Sequence, residues 1–193
     1  MATEIELKYA ATPAQLKDIR AALPGEYTVI SMETTYYDTP GHALSARKWT
    51  LRRRLENGIS VCTLKTPTGG IGRHEWELEW DSIETSIPEL CKLSGLSELS
   101  SLTAQGVVPV CGARFTRQAR RLDLGEATVE LALDEGILFG SGRELPFAEM
   151  EVELKSGTET VALCWAQALA HRFGLVPEHK SKFRRALTLA QGE

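Results

Sequence analysis

Residues 4–8 read EIELK and residues 149–155 read EMEVELK, so Glu4, Glu6 and Lys8, and again Glu149, Glu151, Glu153 and Lys155, fall on every second position with apolar residues between. An extended strand with this spacing carries its charges on one face and an apolar row on the other. The same parity recurs with Arg52 and Arg54, Lys65, then Arg73, Glu75 and Glu77, then Arg117 and Arg121, and then Glu130 and Asp134. Clustered carboxylate oxygens are what a hard divalent cation such as Mg²⁺ or Mn²⁺ requires. Arginine and lysine gathered elsewhere suit an anion with several phosphate groups, because the guanidinium fork grips two phosphate oxygens and each lysine adds a point charge. Together the two sets describe a metal–polyphosphate site.

Such rows face either bulk water, as on one side of an ordinary antiparallel sheet, or an enclosed interior. Carboxylates two apart on a strand are ~7 Å from each other and repel by about 2 kcal/mol at an effective dielectric near 20. Wet sheets relieve this by mixing signs. Here the signs are segregated: the first, fourth-hairpin and late strands are acidic, and 52–54, 65 and 117–121 are basic. Three of the four tryptophans, Trp49, Trp76, Trp80 and Trp165, lie on or beside the apolar parity, which marks that face as the one covered by helices. The expected arrangement is apolar outside and charged within.

The elements that must position these rows are mostly strands. A first strand is expected over 3–10. Residues 12–23 form a helix with Thr12 as N-cap and Pro13 in its first turn. Strands follow at 35–39, 49–56, 60–66 and 73–80, with turn chemistry at TPGH, ENG and PTGGIG. Residues 82–110 read as helices and loops joining two β halves, and strands resume at 114–124, 127–134 and 147–155. Residues 158–174 make an amphipathic helix with Val161, Trp165, Leu169 and Phe173 inward and Gly174 as its stop. A last short strand is expected around 182–189. This is a single α+β domain over 1–193, built on a closed or nearly closed antiparallel barrel with helices outside.

Composition excludes other classes. The net charge of −4 argues against a nucleic-acid-binding face, and no apolar run approaches the ~20 residues that span a bilayer. Cys62, Cys91, Cys111 and Cys164 form no C-x-x-C pair, so they read as reduced thiols rather than a zinc or redox site. A cytoplasmic protein is expected. The sequence sets no oligomeric state.

EIELK at the extreme N-terminus resembles the E-x-E-x-K signature of the CYTH-domain family, the triphosphate tunnel metalloenzymes. YYDTP at 36–40, LRRR at 51–54, TLK at 63–65, RHEWE at 73–77, FTR from Phe115, VELALDEG at 129–136, EMEVELKSG at 149–157 and SKFRRAL at 181–187 follow in the family's order across nearly the whole chain. The resemblance implies an eight-stranded antiparallel β-barrel forming a tunnel that holds a triphosphate. It implies that Glu4, Glu6, Glu151 and Glu153 are metal ligands, with Glu75, Glu77, Glu130, Asp134 and Glu149 as acidic neighbours that complete a second metal site or orient water. It assigns Lys8, Arg52, Arg54, Lys65, Arg73, Arg117 and Lys182 to the phosphates. The RQARR segment leaves Arg120 and Arg121 as alternatives for one further place. His42, His74, His171 and His179 fall off these faces or in loops.

The implied activity is Mg²⁺- or Mn²⁺-assisted hydrolysis of inorganic triphosphate to pyrophosphate and phosphate, with Lys8 and the four glutamates at the reacting centre. A class IV adenylyl cyclase, a thiamine or nucleoside triphosphatase, and a non-catalytic polyphosphate-binding module are the alternatives. The likeness is to the N-terminal module of inorganic triphosphatases in which a helical CHAD domain follows. Because the chain stops at Glu193, that partner is expected to be absent or supplied separately.

Overall fold

The computed structural model describes residues 3–69 and 73–192, with the backbone alone for Thr3 and Glu4. The chain runs β1 (Thr3–Glu4), β2 (Glu6–Ala10), α1 (Pro13–Ala22), β3 (Thr28–Asp38), α2 (Ala43–Ala46), β4 (Thr50–Glu56), β5 (Ile59–Pro67) and β6 (Arg73–Glu79). It continues with α3 (Ile83–Ser94), α4 (Glu98–Leu102), β7 (Val108–Asp123), β8 (Ala127–Gly140), β9 (Arg143–Gly157), α5 (Glu159–Arg172), β10 (Val176–Pro177) and α6 (Lys182–Gln191). The strands form one antiparallel sheet in the order β1-β6-β5-β4-β3-β7-β8-β9-β2-β10.

That order is open, with β1 and β10 at its ends, and ten strands take part where eight were expected. The expected first strand is split at Ile5: Thr3 and Glu4 pair with β6, whereas Glu6 to Ala10 pair with β9. The N-terminal segment thereby touches both ends of the sheet and curls it into a tunnel. β10 is a two-residue addition on β2. β3, β7, β8 and β9 run 11 to 16 residues, longer than the periodic segments that announced them.

The apolar parity packs outward under helices. Val129, Leu131, Met150 and Val152 from β8 and β9 bury against Leu16 and Ile19 of α1 and Ala166 and Leu169 of α5. Leu51, Cys62, Leu64 and Trp76 from β4 to β6 bury against Ile83, Ile87 and Leu90 of α3 and Leu99 of α4. Each fully buried Val, Leu, Ile or Met side chain among them contributes about 1.5–3 kcal/mol on leaving water. The capping box on α1 joins Thr12 Oγ1 to the Gln15 amide and Gln15 Oε1 to the Thr12 amide. Asp38 does the same work for α2, accepting from the amides of Leu44 and Ser45 at 2.9 and 3.0 Å.

The expected strand at 182–189 is a helix. Ser181 caps it by accepting from the Arg184 amide at 3.1 Å. Phe183, Ala186, Leu187 and Ala190 recur at helical rather than alternating spacing. They bury against Met32, Tyr36, Phe115, Leu138 and Phe147, so α6 packs on the same face of the sheet as the charged rows and fills one end of the tunnel. All four cysteines are free thiols, and no helix among the described residues is long and apolar enough to cross a membrane.

Candidate active site

The remaining space inside the sheet is a cavity of about 450 Å³. Eight strands and the start of α6 line it. β2 supplies Glu6 and Lys8, β4 Arg52 and Arg54, β5 Lys65, and β6 Arg73, Glu75 and Glu77. β7 supplies Arg117, β8 Glu130, β9 Glu151, Glu153 and Lys155, and α6 Lys182. The charged rows therefore point inward, as the segregated signs imply.

Three rungs organise the acidic wall. Glu6 faces Glu153 across the β2–β9 ladder, and Glu153 faces Glu130 across β8–β9, so three carboxylates share one rung. Lys155 lies 2.7 Å from Glu153 Oε2 and 3.7 Å from Glu130 Oε1, and Lys8 lies 3.5 Å from Glu6 Oε1. The next rung pairs Lys8 with Glu151, and the one beyond pairs Asp134 with Glu149. Burial opposes the charge on Lys8, but Glu151 and Glu6 outweigh it and raise its pKa.

Asp134, Glu149 and Glu151 each offer an oxygen within 4.8 Å of the others, all three being buried. This triad could hold a metal ion; here it is neutralised by the chain's own cations. Arg117 donates to both oxygens of Asp134 at 2.8 and 2.7 Å and also to Glu151. Lys182 Nζ reaches Asp134 Oδ2 at 2.7 Å, Glu151 Oε1 at 2.8 Å, and Glu149. Arg185 donates to Glu149. Burial works against ionised Glu151, yet Lys182, Arg117 and Lys8 hold its pKa well below the usual carboxylate range. Burial dominates at Glu149 and pushes its pKa up.

Arg52 and Arg54 of β4 and Lys65 of β5 form the basic wall, with Glu75 and Glu77 of β6 set beside them. Arg52 donates to Glu75 and Glu77 at 3.3 Å each, and Lys65 sits 3.0 Å from Glu75. Arg54 donates to Thr34 Oγ1 at 3.3 Å and to Glu56 at 3.1 Å. Arg73 donates to the Lys48 carbonyl at 2.6 Å. Burial, reinforced by Arg52 and Arg117 nearby, pulls the Arg54 pKa below its ordinary value. Such a concentration of positive charge is relieved by an anion.

The structure thus gathers Glu6, Lys8, Arg52, Arg54, Lys65, Arg73, Glu75, Glu77, Arg117, Glu130, Glu151, Glu153 and Lys182 around one space. Asp134 and Glu149 lie behind that lining, fully buried. The Glu4 side chain lies outside the described residues. Of the two alternatives in RQARR, Arg120 faces out and donates to the carbonyls of Leu23 and Pro24 at 3.1 and 2.6 Å, and Arg121 is exposed and outside the lining. None of the four histidines lines the cavity. The sequence reading missed Arg185, whose spacing of three from Lys182 is visible once 182–191 is read as a helix. It also missed an apolar part of the lining: Ile30, Met32, Tyr36, Ala119 and Phe183.

A family model for the CYTH domain matches residues 2–187. An inorganic triphosphatase from Haemophilus influenzae is 30% identical over 201 residues, covering 98% of this chain and 55% of that protein, so the chain spans about half the length of the curated relative it matches. Among solved structures, a candidate adenylate cyclase from Bacillus halodurans gives a TM-score of 0.66 at 19% identity, covering 96% of this chain and 98% of that one. A protein from Pyrococcus horikoshii gives 0.65 at 22% identity, with 96% and 99% covered. A candidate adenylyl cyclase from Hippeastrum, described as revealing a dominant triphosphatase activity, gives 0.63 at 20% identity, with 100% and 97% covered. At these identities the structures establish a shared fold.

Proposed function

The chain belongs to the CYTH domain family, and from that premise we propose that it is a divalent-metal-dependent hydrolase that cleaves inorganic triphosphate to pyrophosphate and phosphate. One observation carries the reading: a cavity inside the curled sheet in which Arg52, Arg54, Lys65, Arg73 and Arg117 stand beside an unbroken carboxylate rung, Glu6–Glu153–Glu130. The 30% identity to an inorganic triphosphatase supports the choice of substrate.

The donor set fits a hard cation. The metal-ligating side chains that line the cavity are carboxylates, with no cysteine or histidine among them. Glu6, Glu130 and Glu153, with Glu151 on the next rung, would hold the ion, and Glu4 joins them by family resemblance. A Mg²⁺ or Mn²⁺ held there would supply charge neutralisation at phosphate oxygens and a lowered pKa for an attacking water.

The chain's own residues do the rest. Arg52 and Arg54 are held in place by Glu75, Glu77, Thr34 and Glu56, so their forks meet the phosphates without reorganising. Lys8 and Arg117 bring positive charge to the boundary between acidic and basic walls, where it would meet a transferring phosphoryl group.

A second reading rests on Tyr36 and Phe183. Their rings lie 5.0 Å apart, tilted by 41°, in the cavity lining, and offer a surface for an organic group carried on a triphosphate. Tripolyphosphate, ATP and thiamine triphosphate assayed side by side with Mg²⁺ and with Mn²⁺, following both phosphate and cyclic AMP, decide between the two. Fastest phosphate release from tripolyphosphate supports the first reading; cyclic AMP, or preference for an organic triphosphate, supports the second.

A further inference from the structure

Phe115 on β7, Gly136 on β8 and Phe147 on β9 share one rung of the sheet, next to the rung of Arg117, Asp134 and Glu149. Gly136 carries no side chain, and a Cβ there would come within 2.5 Å of the Phe115 Cβ. The two flanking rings therefore meet over it, their centroids 5.7 Å apart in an edge contact at 66°, and both are buried. Three cations converge on this pair. The Lys182 ammonium lies 4.9 Å from the Phe115 centroid and 5.6 Å from that of Phe147. The Arg117 guanidinium carbon is 5.9 Å from Phe115, and that of Arg185 is 5.4 Å from Phe147. The negative face of an aromatic ring attracts a cation within about 6 Å, the more so where water is excluded.

Lys182 and Arg117 also line the cavity. Arg117 donates through Nε and Nη2 to Asp134, and through Nη2 to Glu151. Those bonds fix the guanidinium in its own plane, and the Phe115 ring holds it from outside that plane. A guanidinium has five N–H donors, so the Nη1 edge, which makes no hydrogen bond among the described residues, is left for a ligand in the cavity.

We propose that the Phe115–Phe147 pair is a positioning element for the phosphate-facing cations. Its ring faces hold the Lys182 ammonium and the Arg117 guanidinium at the cavity edge, so neither has to be ordered when a phosphate chain arrives. Charge already in place binds more tightly than charge that must be gathered. The inference rests on the proposed function for the identity of the ligand; the convergence of cations on the rings stands on the geometry.

The test separates ring electrostatics from ring size. Fluorine atoms added stepwise to phenylalanine drain the negative face of the ring with little change in its shape. With one, two and three fluorines placed at position 115 of the full chain, the Kd for tripolyphosphate in EDTA, read by titration calorimetry, is expected to rise at each step. The rise is expected to reach roughly tenfold with three. The same series at Phe139, whose cation Arg114 is exposed outside the cavity, is expected to leave the Kd unchanged. A flat series at 115, a tighter Kd, or an equal rise at 139 overturns the inference. Should the three-fluorine protein fail to fold, the slope over the first two steps decides. Phosphate release from tripolyphosphate with Mg²⁺ by the unaltered protein separates the two claims. Release with a flat series sinks the positioning role alone, and a rising series without release sinks the triphosphatase reading alone.

Discussion

Glu6 on β2 and Glu153 on β9 face each other directly across an antiparallel ladder, and Glu130 on β8 extends the same rung. Like charges in that position are unfavourable by ~0.2–1 kcal/mol per pair. Lys8 and Lys155 relieve the repulsion in part. A fold that keeps such a rung inside its tunnel is more stable with a cation there than without one.

Neutralising one member separates stability from activity. Glu6→Gln is expected to leave the metal-free protein as stable as before or up to about 1 kcal/mol more stable, while phosphate release in Mg²⁺ falls by roughly 10²-fold or more. Thermal denaturation without metal, paired with the phosphate assay, checks both halves. A variant that loses stability and keeps activity contradicts the assignment.

Arg54 tests the basic wall. Lysine at this position retains the charge but cannot hold Thr34 and Glu56 while gripping two phosphate oxygens. Arg54→Lys is expected to lower kcat/KM for tripolyphosphate by about 10- to 100-fold, the equivalent of roughly 1.5–3 kcal/mol for a charged hydrogen bond. Steady-state kinetics at two ionic strengths measure it, and a change below twofold speaks against contact with substrate.

The buried cluster fixes a pH profile. Glu151 is held well below its unfolded value near 4.5, so it contributes stability above that pH and loses it as pH falls through the lower folded value. Lys182 and Lys8 are raised above 10.5, so they contribute below that pH and lose it as pH rises through their folded values. Glu149, raised by burial, acts in the opposite sense to Glu151. The metal-free protein is therefore expected to lose stability as pH falls below about 4.5, where Glu149 offsets part of the Glu151 effect, and again as pH rises above about 10.5. Lys182→Met is expected to cost about 3–5 kcal/mol at pH 7, a penalty that shrinks below pH 4.5 as the carboxylates protonate. Urea melts across pH read both curves; a penalty independent of pH contradicts the ion cluster.

The close approach of β7 and β8 gives a purely structural test. A Cβ on Gly136 would lie 2.1 Å from the Arg114 carbonyl oxygen and 2.5 Å from the Phe115 Cα. Gly136→Ala is expected to cost ~1–3 kcal/mol through forced backbone shifts, seen as a lower midpoint in denaturant with no change in metal-binding stoichiometry.

Much of this molecule was legible in its period-2 pattern. Alternation put Glu6, Lys8, Arg52, Arg54, Lys65, Arg117, Glu151 and Glu153 on one face, and sign segregation told which face was enclosed, because buried like charges tolerate clustering only beside a compensating partner. Three features were not legible. The break at Ile5, which lets one segment bond both ends of the sheet, leaves no mark on an uninterrupted alternating pattern. Helix α6 was hidden because Lys180, Lys182 and Arg184 mimic a charged strand, although Phe183, Ala186, Leu187 and Ala190 carry the helical period. Asp134 shares the parity of the cavity residues, yet Arg117 and Lys182 cover it, and burial of that kind depends on a helix from the far end of the chain.

The most direct measurement is phosphate release from tripolyphosphate by the purified chain, with EDTA and then with Mg²⁺ or Mn²⁺, for the unaltered protein and for Glu153→Gln. Release that depends on added metal and collapses in the variant is the expected result. A protein that binds tripolyphosphate but frees no phosphate with either metal would make the cavity a binding site and end the case for hydrolysis.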